Sequence, residues 1–415
     1  MKIAVTTFGS EGDVRPYVAL ARGLRSSGHD AYLVAAKHFS PRATSVGVPF
    51  RDSGMRWDDS EVDAIMARVL ADKNRLRQSK ILFESVVELL RPAVAQVLDV
   101  TSDADLFVSH NVDICGYAAS LRHKRPRIAG CLSAHTLPSR TMTPWGANLG
   151  PLNRLVSWLV RQTFASSTDA GFNELLRLAG LPAKKHVVLD ATDNSLTTLV
   201  AVSPTLVPPD PLWAGQHHVT GFWFLDGEPV APSPELRAFL DGGEPPVVVS
   251  FGSMSGVDAQ AMTRTLVEGL TRLGRRAIIQ GGWAGLGAGE LPANIFRADY
   301  LPHAWLLPRA ACLVHHGGIG TVAAALRAGI PQVVVWHYAD QPDWGKLLAR
   351  RGLAPAPISH RTLSSAWLAR TLARTLDDAA LRDRAQTIGR TVAAEDGVTR
   401  AVAIIDEKLR QSVAA

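Results

Sequence analysis

Two short apolar runs, Lys2 to Phe8 and Ala31 to Ala35, flank a stretch from Asp13 to Ser27 in which Val18, Leu20, Ala21 and Leu24 recur at helical spacing. Short continuous apolar runs read as strands buried on both faces, and a 3.6-residue period reads as an amphipathic helix. Pro16 falls in the predicted first turn, where its missing N–H costs little, and Gly28 supplies the stop. The opening is therefore β-α-β, the unit of a parallel sheet.

The same alternation continues. Leu106 to Ser109, Arg127 to Leu132 and Thr198 to Val202 read as further strands, with a helix over Ile81 to Leu98. Prolines and glycines thicken from Pro204 to Pro211 and from Asp226 to Pro234, which places a linker there. Beyond it come strands at Val247 to Phe251, Ala277 to Gln280, Cys312 to His315 and Gln332 to Trp336. Helices are expected over Asp258 to Leu273, Thr321 to Ala328 and Trp344 to Arg351, and Ser364 to Gln411 reads as wholly helical. Two α/β halves of this kind face each other across a cleft, with ligands at the carboxyl ends of the strands.

Composition adds bounds. A chain of 415 residues exceeds what one core usually serves, so two domains of about 200 residues are expected. The net charge of +6 is mild and its basic residues are scattered, which argues against a nucleic-acid partner. Cys115, Cys131 and Cys312 sit in apolar sequence without ligand spacing, which points to free thiols in a reducing compartment, hence the cytoplasm. The start is too short for a signal peptide, and no apolar run reaches a membrane-spanning length.

The most informative chemistry lies between Tyr300 and Trp344. His315-His316-Gly317-Gly318-Ile319-Gly320-Thr321 joins an apolar run to a helix-like stretch. Glycines there let the chain turn sharply and let an anion approach backbone N–H groups at a helix N-terminus, while His316 and Thr321 add side-chain donors. A plain strand-to-helix turn would use the same glycines for geometry alone.

The match from Leu301 through HHGGIGT and AGIPQ to Asp340-Gln341 resembles the nucleotide-sugar signature of GT-B glycosyltransferases of the UDP-glycosyltransferase superfamily, and most closely its bacterial sterol and antibiotic members. The resemblance implies a fold of two Rossmann-like doubly wound domains: an acceptor domain over 1–220, a donor domain over 221–393, and a final helix over 394–415 packing back onto the first. It implies donor contacts from Tyr300 and His303 to the base, from Ser253, His316, Gly318, Gly320 and Thr321 to the diphosphate, and from Asp340 and Gln341 to the sugar. UDP and dTDP stay open, because Tyr300 and His303 stand where plant members have Trp and Gln. His315 reads as a packing residue. Asp340 with Pro342 also fits a helix cap.

Gly9-Ser10-Glu11-Gly12-Asp13-Val14-Arg15-Pro16 matches the G-x-x-G-D-x-x-P pattern of the same members. Asp13 is then the candidate general base, with Glu11 as the alternative carboxylate and a helix cap as the structural alternative. One displacement by an acceptor hydroxyl inverts the anomeric carbon. The acceptor contacts implied are Ser10 of this loop and Met142, Trp145 and Leu149, the last three within an apolar segment that also holds Thr136, Leu152, Trp158 and Phe164. These imply a lipophilic hydroxylated acceptor such as a polyketide, sterol or aromatic natural product. No metal or other cofactor is expected, since Asp103-Ala104-Asp105 precedes its strand and His110, His217 and His218 lack ligand partners in spacing. A homodimer is one expected assembly. A nucleotide-sugar epimerase of the same fold and a non-catalytic nucleotide-sugar-binding partner protein are the rival readings.

Overall fold

The computed structural model describes residues 1–56, 58–143, 145–227, 230–252, 258–281 and 286–414. These form two compact units, one of Met1–Glu61, Ser79–Gly227 and Glu395–Ala415, the other of Val62–Gln78 and Glu228–Ala394.

The first unit is built on β1 (Lys2–Thr6), β2 (Asp30–Ala35), β3 (Phe50–Asp52), β4 (Leu106–His110), β5 (Arg127–Cys131), β6 (Thr198–Val200) and β7 (His217–Val219), in the order β3-β2-β1-β4-β5-β6-β7. Every neighbouring pair is parallel. The second unit repeats the plan with β8 (Val247–Ser250), β9 (Ala277–Gln280), β10 (Ile295–Ala298), β11 (Cys312–His315), β12 (Gln332–Trp336) and β13 (Ile358–Ser359), in the order β10-β9-β8-β11-β12-β13. Both sheets reverse their winding once, between β1 and β4 and between β8 and β11. Such a reversal opens a crevice outside the carboxyl ends of the two central strands.

Strand pleating explains why these segments read as unbroken apolar runs. Val247, Val249, Ile279 and Val314 face one core with the helices Ala259–Leu273 and Ser365–Asp377, while Val248, Ile278 and Leu313 face a second core with Leu306 and Ala325. Both faces are covered, so both alternating sets must be apolar.

The structure departs from the sequence reading in identifiable places. The helix expected over Ile81 to Leu98 is two, Arg75–Leu90 and Ala93–Val100, because Pro92 cannot continue the hydrogen-bond ladder. The helical tail is three helices, Ser365–Asp377, Ala379–Ala394 and Gly397–Ala414, with Asp378 Oδ1 accepting from Leu381 N at 2.8 Å at the first break. The helix near Trp344 begins at Gln341, which puts Pro342 at its second position. Strands β3, β7, β10 and β13 lie where no strand was expected; β3, β7 and β13 sit on sheet edges and are too short to show a period.

The compact units divide at 227/228 and 394/395 where 220/221 and 393/394 were expected, and 62–78 goes with the second unit. The guanidinium of Arg361 holds that segment by donating to the carbonyls of Leu70 and of Asp72, the latter at 2.7 Å.

The final helix Gly397–Ala414 lies on the helix Glu11–Ser26 of the first unit. A Cβ on Gly397 would meet the carbonyl oxygen of Phe222 at 2.4 Å, so the chain can pass there only as glycine. Glu395 Oε1 accepts from Ser203 Oγ at 2.7 Å, and His29 Nε2 lies 2.7 Å from Asp406 Oδ1.

Candidate functional site

In the second unit the crevice lies at the carboxyl ends of β8 and β11. β11 ends at His315, and the helix Ile319–Ala328 begins at its N-cap Gly318. Gly317 has φ of +93°, and a Cβ there would meet Val334 Cγ1 at 2.8 Å and the Gln341 carbonyl oxygen at 3.0 Å. The glycine is therefore required by both conformation and space. It sets the N-terminus of the helix, with its positive dipole end, at the carboxyl end of β11.

The His316 ring folds over that N-terminus. A Cβ on Gly318 would lie 2.4 Å from His316 Nε2, and one on Gly252, after β8, would lie 3.3 Å from its Cε1. Its Nδ1 is buried without a hydrogen bond. Burial, and then the neighbouring His303, lower its pKa to about 4. His316 is thus neutral at physiological pH and carries one donor and one acceptor. His315 is fully buried, and its Nδ1 accepts from Gly317 N at 3.1 Å. That makes it part of the turn's scaffold.

His303 opens the short helix His303–Leu306 and is half-buried, its Nε2 lying 3.3 Å from Ser250 Oγ. Ser250 Oγ donates to Gln280 Oε1 at 2.8 Å, and Gln280 Nε2 donates to the Leu301 carbonyl at 2.8 Å. This chain of bonds fixes the segment that carries Tyr300, whose ring is 53% exposed. An exposed flat aromatic ring is suited to stacking on a base. Gly320 is exposed and Thr321 is buried in the first turn of the helix. Ser253 lies outside the described residues.

Asp340 and Gln341 have structural duties that the sequence did not show. Gln341 Oε1 accepts from the backbone N–H of His337 at 2.8 Å and of Tyr338 at 3.2 Å, so it closes the loop after β12. Asp340 is the N-cap residue by position, and its Oδ2 accepts from Trp344 Nε1 at 2.8 Å instead of capping the helix. Just before them Ala339 adopts φ of +53°, a conformation seldom held outside glycine. His337, buried in the same loop, stacks flat on His360 with ring centroids 4.5 Å apart. Sequence reasoning did not pair these two histidines, since they are separated by the whole helix Gln341–Arg350.

In the first unit the corresponding crevice lies between β1 and β4. Gly9, at φ of +113°, turns the chain so that Ser10 caps the helix Glu11–Ser26. Asp13 Oδ2 accepts from Ser10 N at 2.8 Å and from Ser10 Oγ at 3.0 Å. The cap and the candidate base are therefore one carboxylate. Glu11 is held differently, in an ion pair with Arg42 at 3.0 Å. Asp113 caps the helix Ile114–Arg122 and accepts from Thr6 Oγ1 at 2.6 Å, and burial raises its pKa.

The other expected acceptor contacts sit apart on the segment before the helix Leu152–Leu178. Met142 and Trp145 are half-buried and Leu149 is 43% exposed. Asp210 ties this segment down by accepting from Ser139 Oγ at 2.9 Å, Arg140 N at 2.7 Å and Thr141 Oγ1 at 2.8 Å, an anchor with no sequence signal of its own. Leu152 and Trp158 are exposed on the helix, and Phe164 packs edge-on against Phe83 at 5.1 Å. Asp103 is paired with Arg51 at 2.6 Å and Asp105 accepts from Lys2 N at 2.8 Å, which explains both as anchors of the sheet edge.

A crevice at the winding reversal of each of two parallel sheets, one carrying a carboxylate and the other a helix N-terminus, is the arrangement of a GT-B glycosyltransferase. Solved structures agree on the fold: the calicheamicin glycosyltransferase CalG4 aligns with a TM-score of 0.72 at 18% identity over 98% of both chains. The glycosyltransferase VinC, in complex with dTDP, aligns at 0.70 and 17% over 99% of this chain and 100% of that one. The family described as "Erythromycin biosynthesis protein CIII-like, C-terminal domain" matches residues 265–407. O-mycaminosyltylonolide 6-deoxyallosyltransferase of Streptomyces fradiae is 33% identical over 98% of this chain and 97% of its own length. A sterol 3-beta-glucosyltransferase of Arabidopsis thaliana is 30% identical over 97% of this chain and 64% of its own. The chain belongs to the UDP-glycosyltransferase superfamily, alongside its macrolide and sterol members, and is a glycosyltransferase. Among the described residues no helix is long and apolar enough to cross a membrane.

Proposed function

We propose that this protein is an inverting glycosyltransferase that moves a sugar from a UDP- or dTDP-sugar to a hydroxyl of a lipophilic small molecule, with Asp13 as general base. The observation that carries the reading is the β11-to-helix turn, where Gly317, at φ of +93°, turns the chain into the N-terminus of Ile319–Ala328 and the neutral His316 ring packs over that N-terminus. Helix N–H groups and an imidazole donor hold a diphosphate as it leaves, which favours the transition state more than the ground state.

On the acceptor side, the Asp13 carboxylate keeps its orientation through Ser10 and takes the proton of the attacking hydroxyl. A base so placed is worth about 10²–10⁴-fold. Attack from the face opposite the leaving diphosphate inverts the anomeric configuration. With the leaving charge taken up by N–H donors, the reaction proceeds without a metal ion. Tyr300 and His303 support a base-binding role, and Asp340 and Gln341 shape the loop against the sugar. The half-buried Met142 and Trp145 and the exposed Leu149 support an apolar acceptor, in keeping with the macrolide and sterol glycosyltransferases among the relatives.

The test is thermal melting of the purified protein with UDP and with dTDP, each with chelator present. A rise in Tm with one of them, undiminished by chelator, is expected and names the donor. No rise with either at millimolar concentration would sink the donor site as described.

A further inference from the structure

The crevice of the first unit contains several polar side chains, and all but one have a partner among the described residues. Tyr17 OH donates to the Gly130 carbonyl at 2.8 Å, where a Cβ on Gly130 would collide with it at 2.4 Å. Thr6 donates to Asp113, whose other oxygen accepts from Gly116 N at 3.1 Å. Arg127 Nη1 donates to Ser109 Oγ at 2.8 Å, and Asp13 receives both donors of Ser10.

His110 is the exception. It is the last residue of β4, directly at the winding reversal, and its ring stands edge-on to Tyr17 at 5.7 Å and to Phe8 at 6.2 Å. Those two aromatics fix the plane of the imidazole. Yet Nδ1 is buried with no hydrogen bond, and among the described residues neither ring nitrogen has one. An unmet buried polar group of this kind is a liability that folded chains seldom keep without use. Burial also holds the ring neutral, with its pKa lowered to about 4, so it offers a donor and an acceptor together.

We propose that His110 is an acceptor-binding residue, its imidazole hydrogen-bonding a polar group of the lipophilic acceptor at the same crevice as Asp13. The inference rests on the reading that the first unit takes a hydroxylated acceptor. A donor-plus-acceptor ring held between two aromatic edges matches a hydroxyl, and a site that hydrogen-bonds a hydroxyl rejects the deoxy analogue far more strongly than an apolar wall does. His110 thereby contributes to the choice of acceptor, while Asp13 handles the proton.

The test compares wild type with His110→Phe, which keeps the ring's shape without its nitrogens, and His110→Asn, which restores hydrogen-bonding atoms near Nδ1. The acceptor is whichever of O-mycaminosyltylonolide and cholesterol the wild type glycosylates. For His110→Phe the acceptor KM should rise about tenfold or more, the worth of one hydrogen bond, with kcat within about threefold and the nucleotide-induced rise in Tm unchanged. His110→Asn should recover most of the KM and stands in if the Phe variant does not fold. An unchanged KM in both variants overturns the proposal and leaves the enzyme's function intact. Equal losses in kcat, KM and Tm for both variants overturn it in favour of a purely structural role. If the wild type glycosylates neither acceptor, the proposal falls with the acceptor reading beneath it.

Discussion

The two winding reversals are built on the same topology and do opposite electrostatic work. Between β1 and β4 the chain presents a carboxylate, Asp13, held by the N-cap residue of the helix it opens. Between β8 and β11 the described residues present glycines, backbone N–H groups and the neutral His316 at the turn. The first crevice carries a carboxylate and the second a helix N-terminus. What distinguishes them is the first turn of the helix that follows: Asp13 places a negative group within it, whereas the helix Ile319–Ala328 opens with glycines and no acidic residue in its first turn.

The sharpest way to break this contrast is to neutralise the first crevice. Asp13→Asn keeps an oxygen able to accept from Ser10, so the helix should start as before and dTDP or UDP should still raise Tm. Transfer should fall by about 10²–10⁴-fold, measured as initial rates at saturating donor, and near-wild-type turnover would remove Asp13 from the mechanism. Glu11→Gln in the same assay should stay within about threefold, because Glu11 is engaged by Arg42.

Next in size is loss of the second crevice's side-chain donor. His316→Ala should weaken nucleotide binding by about tenfold or more, as expected for losing a hydrogen bond to a charged group, while leaving Tm without nucleotide nearly unchanged. Titration calorimetry with dTDP or UDP reads this directly, and equal affinities for wild type and variant would refute the diphosphate role.

An effect on stability, not on activity, involves histidines of both units. His110, His217 and His316 have folded pKa values of about 4, and His315 and His337 lie well below their usual range, in each case first through burial. Unfolded, all return to about 6.5 and bind protons that the folded chain excludes. Stability is therefore full above pH 6.5 and is lost as pH falls towards 4, at up to about 1.4 kcal/mol per pH unit for each histidine. Urea titrations at pH 7.5 and 5.0 should show the lower midpoint at 5.0, and the reverse order would contradict these shifts.

Much of the fold could be read from periodicity alone. The strands Ala277–Gln280, Cys312–His315 and Gln332–Trp336 lie where the apolar runs placed them, because a doubly covered parallel sheet admits only apolar side chains on either face. The glycine turn at 317–318 was legible because its constraint is local. Other features were not. Gln341 looked like a sugar contact, and its engagement with His337 and Tyr338 depends on a loop conformation that no pattern encodes. His110 carries no such pattern either, because the signal that marks it, a missing partner, exists only once the surrounding groups have found theirs. Asp210 likewise holds Ser139 to Thr141 from 69 or more positions away.

The return of the final helix has a practical side for anyone wishing to recombine specificities. Because the first unit is completed by Glu395–Ala415 and Gly397 fits only against the carbonyl of Phe222, the second unit cannot be exchanged with a single crossover. A hybrid must be joined near 227 and again near 394, with the segment 62–78 exchanged along with the second unit, so that each first unit travels with its own tail.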